Sequence, residues 1–146
     1  MASRPDSALS TRPHWAWPFA TPVVHWIALL GLCAAYLQGG IQKALDFGGA
    51  VAESAHFGLQ PAGPITLAVI VLELGASLAI LSGRYRWLGA LALAAFTLVA
   101  TFLANRFWSV PLAERFATAN TFFEHLGLTG GFLLVAWQDL RETRNR

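Results

Sequence analysis

Apolar residues in this chain collect in four long runs, and most of the charged residues lie between them. The runs cover roughly Pro22–Ala44, Pro64–Gly83, Trp87–Phe107 and Phe116–Trp137. Each is close to the ~20 residues that an α-helix needs to cross the hydrocarbon core of a bilayer. Two runs begin with proline, which suits the first residue of a helix, and one ends in glycine, which suits the end of a helix. The pattern predicts an all-α fold, a bundle of four transmembrane helices with up-down topology.

The composition supports an integral membrane protein. Hydrophobic residues make up 55% of the chain and charged residues 12%, whereas soluble domains carry about 25% charged residues. A water-soluble chain of 146 residues could not bury so much apolar surface in one core. We therefore predict a flexible N-terminal tail at 1–21, a membrane domain at 22–138 with a connecting loop at 45–63, and a basic tail at 139–146.

The distribution of lysine and arginine predicts the orientation, because cytoplasmic loops carry more of them. One side of the predicted bundle has seven, namely Arg4, Arg12, Arg84, Arg86, Arg141, Arg144 and Arg146. The other side has three, namely Lys43, Arg106 and Arg115. Both termini are expected in the cytoplasm and the 45–63 loop outside. This loop contains several apolar residues, so we expect it to fold back over the outer mouth of the bundle.

Glu73 lies in the middle of the second apolar run. A charge at that depth costs a few kcal/mol even on lenient insertion scales, and it normally faces other helices or a water pocket. We expect Glu73 to face the bundle interior and to contact the first or fourth span. By depth, Gln38 is its expected neighbour on the first span. Lys43 lies about 7.5 Å further out than Gln38 and reaches Glu73 only if its side chain bends into the bundle.

Polar side chains from all four predicted spans collect in the outer half of the bundle. The candidates for ligand binding or proton relay are Glu73, Lys43, Gln42, Gln38, His125, Glu124 and Asn105. Two structural alternatives remain open: Lys43 could extend to the outer headgroups, and Gln38 and Asn105 could hydrogen-bond between helices. The single cysteine, Cys33, and the absence of metal-ligand spacing predict no metal site and no intrinsic redox cofactor.

Several short motifs in a fixed order resemble the DoxX family of small four-helix membrane proteins. They are the segments Gln38–Phe47, Phe57–Pro61, Glu73–Ser77, Gly83–Arg84 and Asn120–Gly131. The resemblance implies that Lys43, Glu73 and Arg84 stand at positions characteristic of the family. It also implies a multi-pass protein of the bacterial inner membrane.

The resemblance implies a redox role, because the family is named after a subunit of a quinone-linked oxidoreductase that handles reduced sulfur. The protein would then be an accessory subunit with a quinone as ligand and an oxidoreductase subunit as partner. Aromatic side chains near the polar candidates would line the quinone site, namely Tyr36, Phe47, Phe122 and Phe123. No catalytic motif suggests that the chain turns over a substrate alone.

Two other function classes remain open. The protein could be a non-catalytic membrane protein that binds a small ligand or assists assembly, with its polar network serving structure. Transport is disfavoured, because four helices enclose only a narrow pathway unless the chain forms a homo-oligomer. The lipid bilayer is the expected environment in every case, and the scattered basic residues do not suggest a nucleic-acid partner.

Overall fold

The computed structural model describes residues 21–145, which form five α-helices. They are α1 (Pro22–Leu45), α2 (Phe47–His56), α3 (Ala62–Ser82), α4 (Arg86–Ala104) and α5 (Leu112–Arg144). The regular secondary structure of these described residues is all helical, which confirms the predicted class. The flexible tail predicted at 1–21 lies outside the described residues, except for Thr21.

Three of the described helices, α1, α3 and α4, are long and apolar enough to cross a membrane. The helix α1 packs against α3, α3 against α4, and α4 against α5. The helix α5 is 33 residues long, but Asn120, Glu124 and His125 interrupt its apolar run. It continues to Arg144, so most of the segment predicted as a separate basic tail is helical.

The ends of the spanning helices follow the local sequence. The side chain of Thr21 caps α1 by accepting a hydrogen bond from Val24 N at 3.3 Å, with Pro22 as the first helical residue. Gly83 ends α3 in the left-handed region at φ 77°. The carboxylate of Asp139 accepts a bond from Trp87 N at 3.1 Å, so α5 caps the first turn of α4.

The connection between α1 and α3 contains a helix where the sequence predicted a loop at 45–63. Asp46 ends α1 and begins α2, because its carboxylate accepts a bond from Gly49 N at 3.0 Å. The Ser54 and Thr66 hydroxyls are 2.7 Å apart, and Thr66 is 1% exposed. The connection thus packs on α3 at one end of the bundle, hereafter the α2 end.

Tyr36 is at the centre of the helix packing. Its hydroxyl is 2.5 Å from Thr97 Oγ1 of α4. Its ring meets Phe132 of α5 edge-on at a centroid distance of 5.3 Å, and Phe96 of α4 at 6.5 Å. Aromatic pairs in this arrangement contribute about 0.5–1.5 kcal/mol beyond the area they bury. Tyr36 therefore joins α1, α4 and α5 in the middle of the bundle.

The close approach of α3 and α4 depends on Gly89. A Cβ atom at this position would lie 2.6 Å from the Ala76 carbonyl oxygen, a backbone atom that cannot move aside.

We expect Gly89→Ala to lower the free energy of unfolding by about 1–3 kcal/mol, the usual cost of overpacking. Gly75→Ala is the matched control, because nothing lies within 4 Å of its added Cβ. Thermal unfolding in detergent would measure both, and equal melting temperatures would contradict the close contact.

Candidate functional site

A cavity of about 530 Å³ lies between the helices at the α2 end. This volume falls within the about 300–1,000 Å³ typical of small-molecule sites. All five helices contribute to its wall, which is mainly apolar and includes Tyr36, Phe57, Ile65, Val69, Phe96 and Leu128. Lys43 and Glu73 provide an ionic group inside this apolar wall.

The carboxylate of Glu73 is buried and paired with Lys43. Lys43 Nζ donates to Glu73 Oε1 and Oε2, each at 3.1 Å, and Glu73 is 5% exposed. Helical periodicity places the carboxylate there, because it belongs to the buried stripe of α3 formed by Thr66, Ile70, Glu73, Ser77 and Ile80. The prediction that Glu73 faces the interior and contacts the first span is confirmed.

Two glycines of α1 make room for this ion pair. A Cβ atom on Gly39 would lie 3.3 Å from Lys43 Nζ and 3.8 Å from Glu73 Oε2. A Cβ atom on Gly40 would lie 2.8 Å from a methyl group of Leu74. Side chains on a helix lean toward its N-terminus, so Lys43 extends back along α1 past Gly39. The ammonium therefore points into the bundle rather than to the headgroups.

His125 and Asn105 also line the cavity. His125 Nδ1 is 2.7 Å from the Thr121 carbonyl oxygen. Because a carbonyl can only accept, Nδ1 carries a proton, and Nε2 of the neutral ring is an acceptor. The amide of Asn105 can both donate and accept. The cavity thus offers hydrogen-bonding groups besides the ion pair.

Three of the predicted site residues lie away from the cavity. Gln38 donates to Gln42 at 2.7 Å on the exposed face of α1, and Glu124 accepts from Asn120 at 3.2 Å on the exposed face of α5. The expectation that Gln38 neighbours Glu73 is wrong. That contact was expected because the two residues lie at a similar depth. The face of α1 that meets α3 instead carries Gly39, Gly40 and Lys43.

The contribution of α2 to the site was not predicted from the sequence. Glu53, Ser54 and Phe57 line the cavity. Together with the buried Ala50, they follow an i, i+3, i+4, i+7 spacing, which is typical of one face of a helix. Because Glu53 and Ser54 are polar, the spacing of apolar residues gave no signal that this face turns to the bundle.

The aromatic walls also differ from the prediction. Tyr36 lines the cavity as expected, and Phe96 lies beside it. Phe122 and Phe123 instead pack with Phe107 outside the cavity lining, and Phe47 is not part of the lining.

The ion pair predicts that loss of the Lys43 charge alone costs more stability than loss of both charges. Lys43→Met leaves the buried carboxylate without its cation, and we expect a loss of about 2–4 kcal/mol in unfolding free energy. Adding Glu73→Gln should recover a large part of this loss, because no unpaired charge remains. Arg106→Met is the control, since Arg106 is exposed at the same end. Denaturant unfolding in micelles measures the cycle, and strictly additive effects would exclude a coupled pair.

A comparison with known families identifies the family of this chain. The model of the DoxX family matches residues 25–106, which is more than half of the chain and includes both Lys43 and Glu73. No curated protein and no solved structure matches the chain. The extent of the family match shows that this chain belongs to the DoxX family.

Proposed function

We propose that this DoxX-family protein crosses the bacterial inner membrane four times and has both termini in the cytoplasm. Three of the described helices meet the length and hydropathy of a span. The helix α5 supports a fourth crossing, because it packs along α4 and exposes large apolar residues, namely Leu133, Leu134 and Trp137. The seven-to-three distribution of basic residues supports the orientation.

We further propose that the cavity binds a quinone, as part of a membrane redox system. The observation that carries this proposal is an ammonium group held inside an apolar, partly aromatic cavity. A quinone is a flat apolar ring with two carbonyl acceptors. The ammonium of Lys43 has three N–H groups, and two bonds go to Glu73. One N–H group is therefore left for a ligand oxygen.

The polar groups of the cavity suit both redox forms of such a ligand. Lys43 can donate to a quinone carbonyl, whereas His125 Nε2 can accept from a quinol hydroxyl. Asn105 can do either. Reduction of a quinone takes up two electrons and two protons, and Lys43 and Glu73 are placed to supply or accept a proton at a ligand oxygen. The electrons would come from an oxidoreductase partner subunit.

The cavity reaches the outer surface of the bundle, which supports a ligand that arrives from the bilayer. Ala35 and Val99 line the cavity but are also exposed on the outside of the bundle, and Val99 is 67% exposed. Both lie within the apolar helices α1 and α4. The cavity therefore reaches the surface that lipid would cover, which is the route expected for a lipophilic molecule.

The topology has a direct test. Reporter fusions after Arg86 and after Arg146 are expected to show cytoplasmic activity, and fusions within residues 48–60 should show activity outside. The two termini share a side only if the number of spans is even. A C-terminal fusion that reports the outside, together with an Arg86 fusion that reports the cytoplasm, would show that α5 does not complete a fourth crossing.

Ligand binding is tested with a neutral short-chain quinone and protein in nanodiscs, by calorimetric titration. The double variant Lys43→Met, Glu73→Gln removes both charges of the pair. We expect this variant to bind the quinone at least about tenfold more weakly than the unsubstituted protein, because a hydrogen bond to a charged donor contributes about 1.5–3 kcal/mol. Gln38→Met is the control on the exposed face of α1. Unchanged affinity in the double variant would contradict the proposed site.

A further inference from the structure

We infer that Glu53 sets the charge preference of the cavity, so that the cavity accepts neutral ligands and disfavours anionic ones. This inference rests on the proposed quinone site and narrows the ligand class. Glu53 belongs to α2, in the connection where the sequence indicated no site residue. The ion pair of Lys43 and Glu73 is already neutral without the carboxylate of Glu53.

The helix α2 holds Glu53 at the cavity through contacts of its neighbours. Ser54 is hydrogen-bonded to Thr66 of α3 at 2.7 Å. Ala50, one turn earlier on the same face, is 7% exposed, and Phe57, one turn later, lines the cavity. Glu53 therefore lies on the face of α2 that turns to the bundle, although its own side chain remains accessible to solvent.

The balance of charge around the cavity follows from its lining. The ionic groups are Lys43, Glu73 and Glu53, besides the imidazole of His125. Lys43 and Glu73 neutralise each other at 3.1 Å. Glu53 and Glu73 line the same cavity. Apart from the imidazole, the lining carries one net negative charge, and that charge belongs to Glu53.

The negative charge of Glu53 would repel an anionic ligand in this cavity. The ammonium of Lys43 would offset little of this repulsion, because Lys43 is already paired with the carboxylate of Glu73. A neutral ligand of the same shape would lose no binding affinity, because Glu53 does not repel it. Because Glu53 is accessible to solvent, water and salt reduce the repulsion. The expected discrimination is therefore modest and depends on salt.

Two naphthoquinones of nearly equal size test this inference. At neutral pH, 2-methoxy-1,4-naphthoquinone is neutral, and 2-hydroxy-1,4-naphthoquinone is an anion. We expect the full-length protein in zwitterionic nanodiscs to bind the neutral probe more tightly. Glu53→Gln should raise the affinity for the anion roughly three- to tenfold at low salt and leave the affinity for the neutral probe within about twofold of the unsubstituted protein's.

Two control variants separate a local effect from a general one. Glu53→Asp keeps the charge and should keep the preference. Glu114→Gln removes an exposed carboxylate of α5 at the same end of the bundle and should change neither affinity, because Glu114 is not part of the cavity lining. Raising the salt from about 0.05 M to about 0.5 M should reduce the effect of Glu53→Gln, since the Debye length shortens several-fold.

The outcomes distinguish the inference from the function on which it rests. If neither probe binds, the proposed quinone site is wrong. If the neutral probe binds and Glu53→Gln leaves the ratio of the two affinities unchanged, the quinone site stands and the role of Glu53 is overturned. Equal effects of Glu53→Gln and Glu114→Gln would also overturn it, because the preference would then arise from the charge of the whole surface.

Discussion

The burial of one carboxylate constrains much of this structure. Glu73 lies within an apolar helix at 5% exposure, where an unpaired charge would cost several kcal/mol. It needs a cation, and α1 provides Lys43 at 3.1 Å. For that ammonium to reach inward, α1 must approach α3 closely, which Gly39 and Gly40 allow. The ion pair and the glycines beside it therefore depend on one another.

A cavity lies beside this ion pair. In the middle of the bundle, Tyr36 joins α1, α4 and α5 through Thr97 and Phe132, so the helices pack tightly there. Towards the α2 end, Lys43 and Glu73 line a cavity between the helices, and α2 packs against α3 through Ser54 and Thr66. A polar pair inside an apolar wall is the combination that orients a small ligand.

The sequence predicted the helical class, the starts of α1, α3 and α4 to within about two residues and the inward orientation of Glu73, because long apolar runs and a buried charge are strong signals. It did not predict which polar residues share a face. Gln38 and Lys43 are five residues apart and differ in direction by about 140° on a helix, so depth alone could not separate them. The helix α2 was missed because it is short and its first turn contains Gly48 and Gly49, which have low helix propensity.

The polar half of α5 follows from the length of that helix. Its 33 residues span about 50 Å, whereas the hydrocarbon core is about 30 Å thick, so part of α5 must extend beyond the core. The exposed pair of Asn120 and Glu124 lies towards the α2 end, where such an extension would meet the headgroups. His125, one residue further, turns to the cavity instead. The polar interruption of α5 therefore contains a side chain that lines the cavity beside a pair that stays on the exposed face.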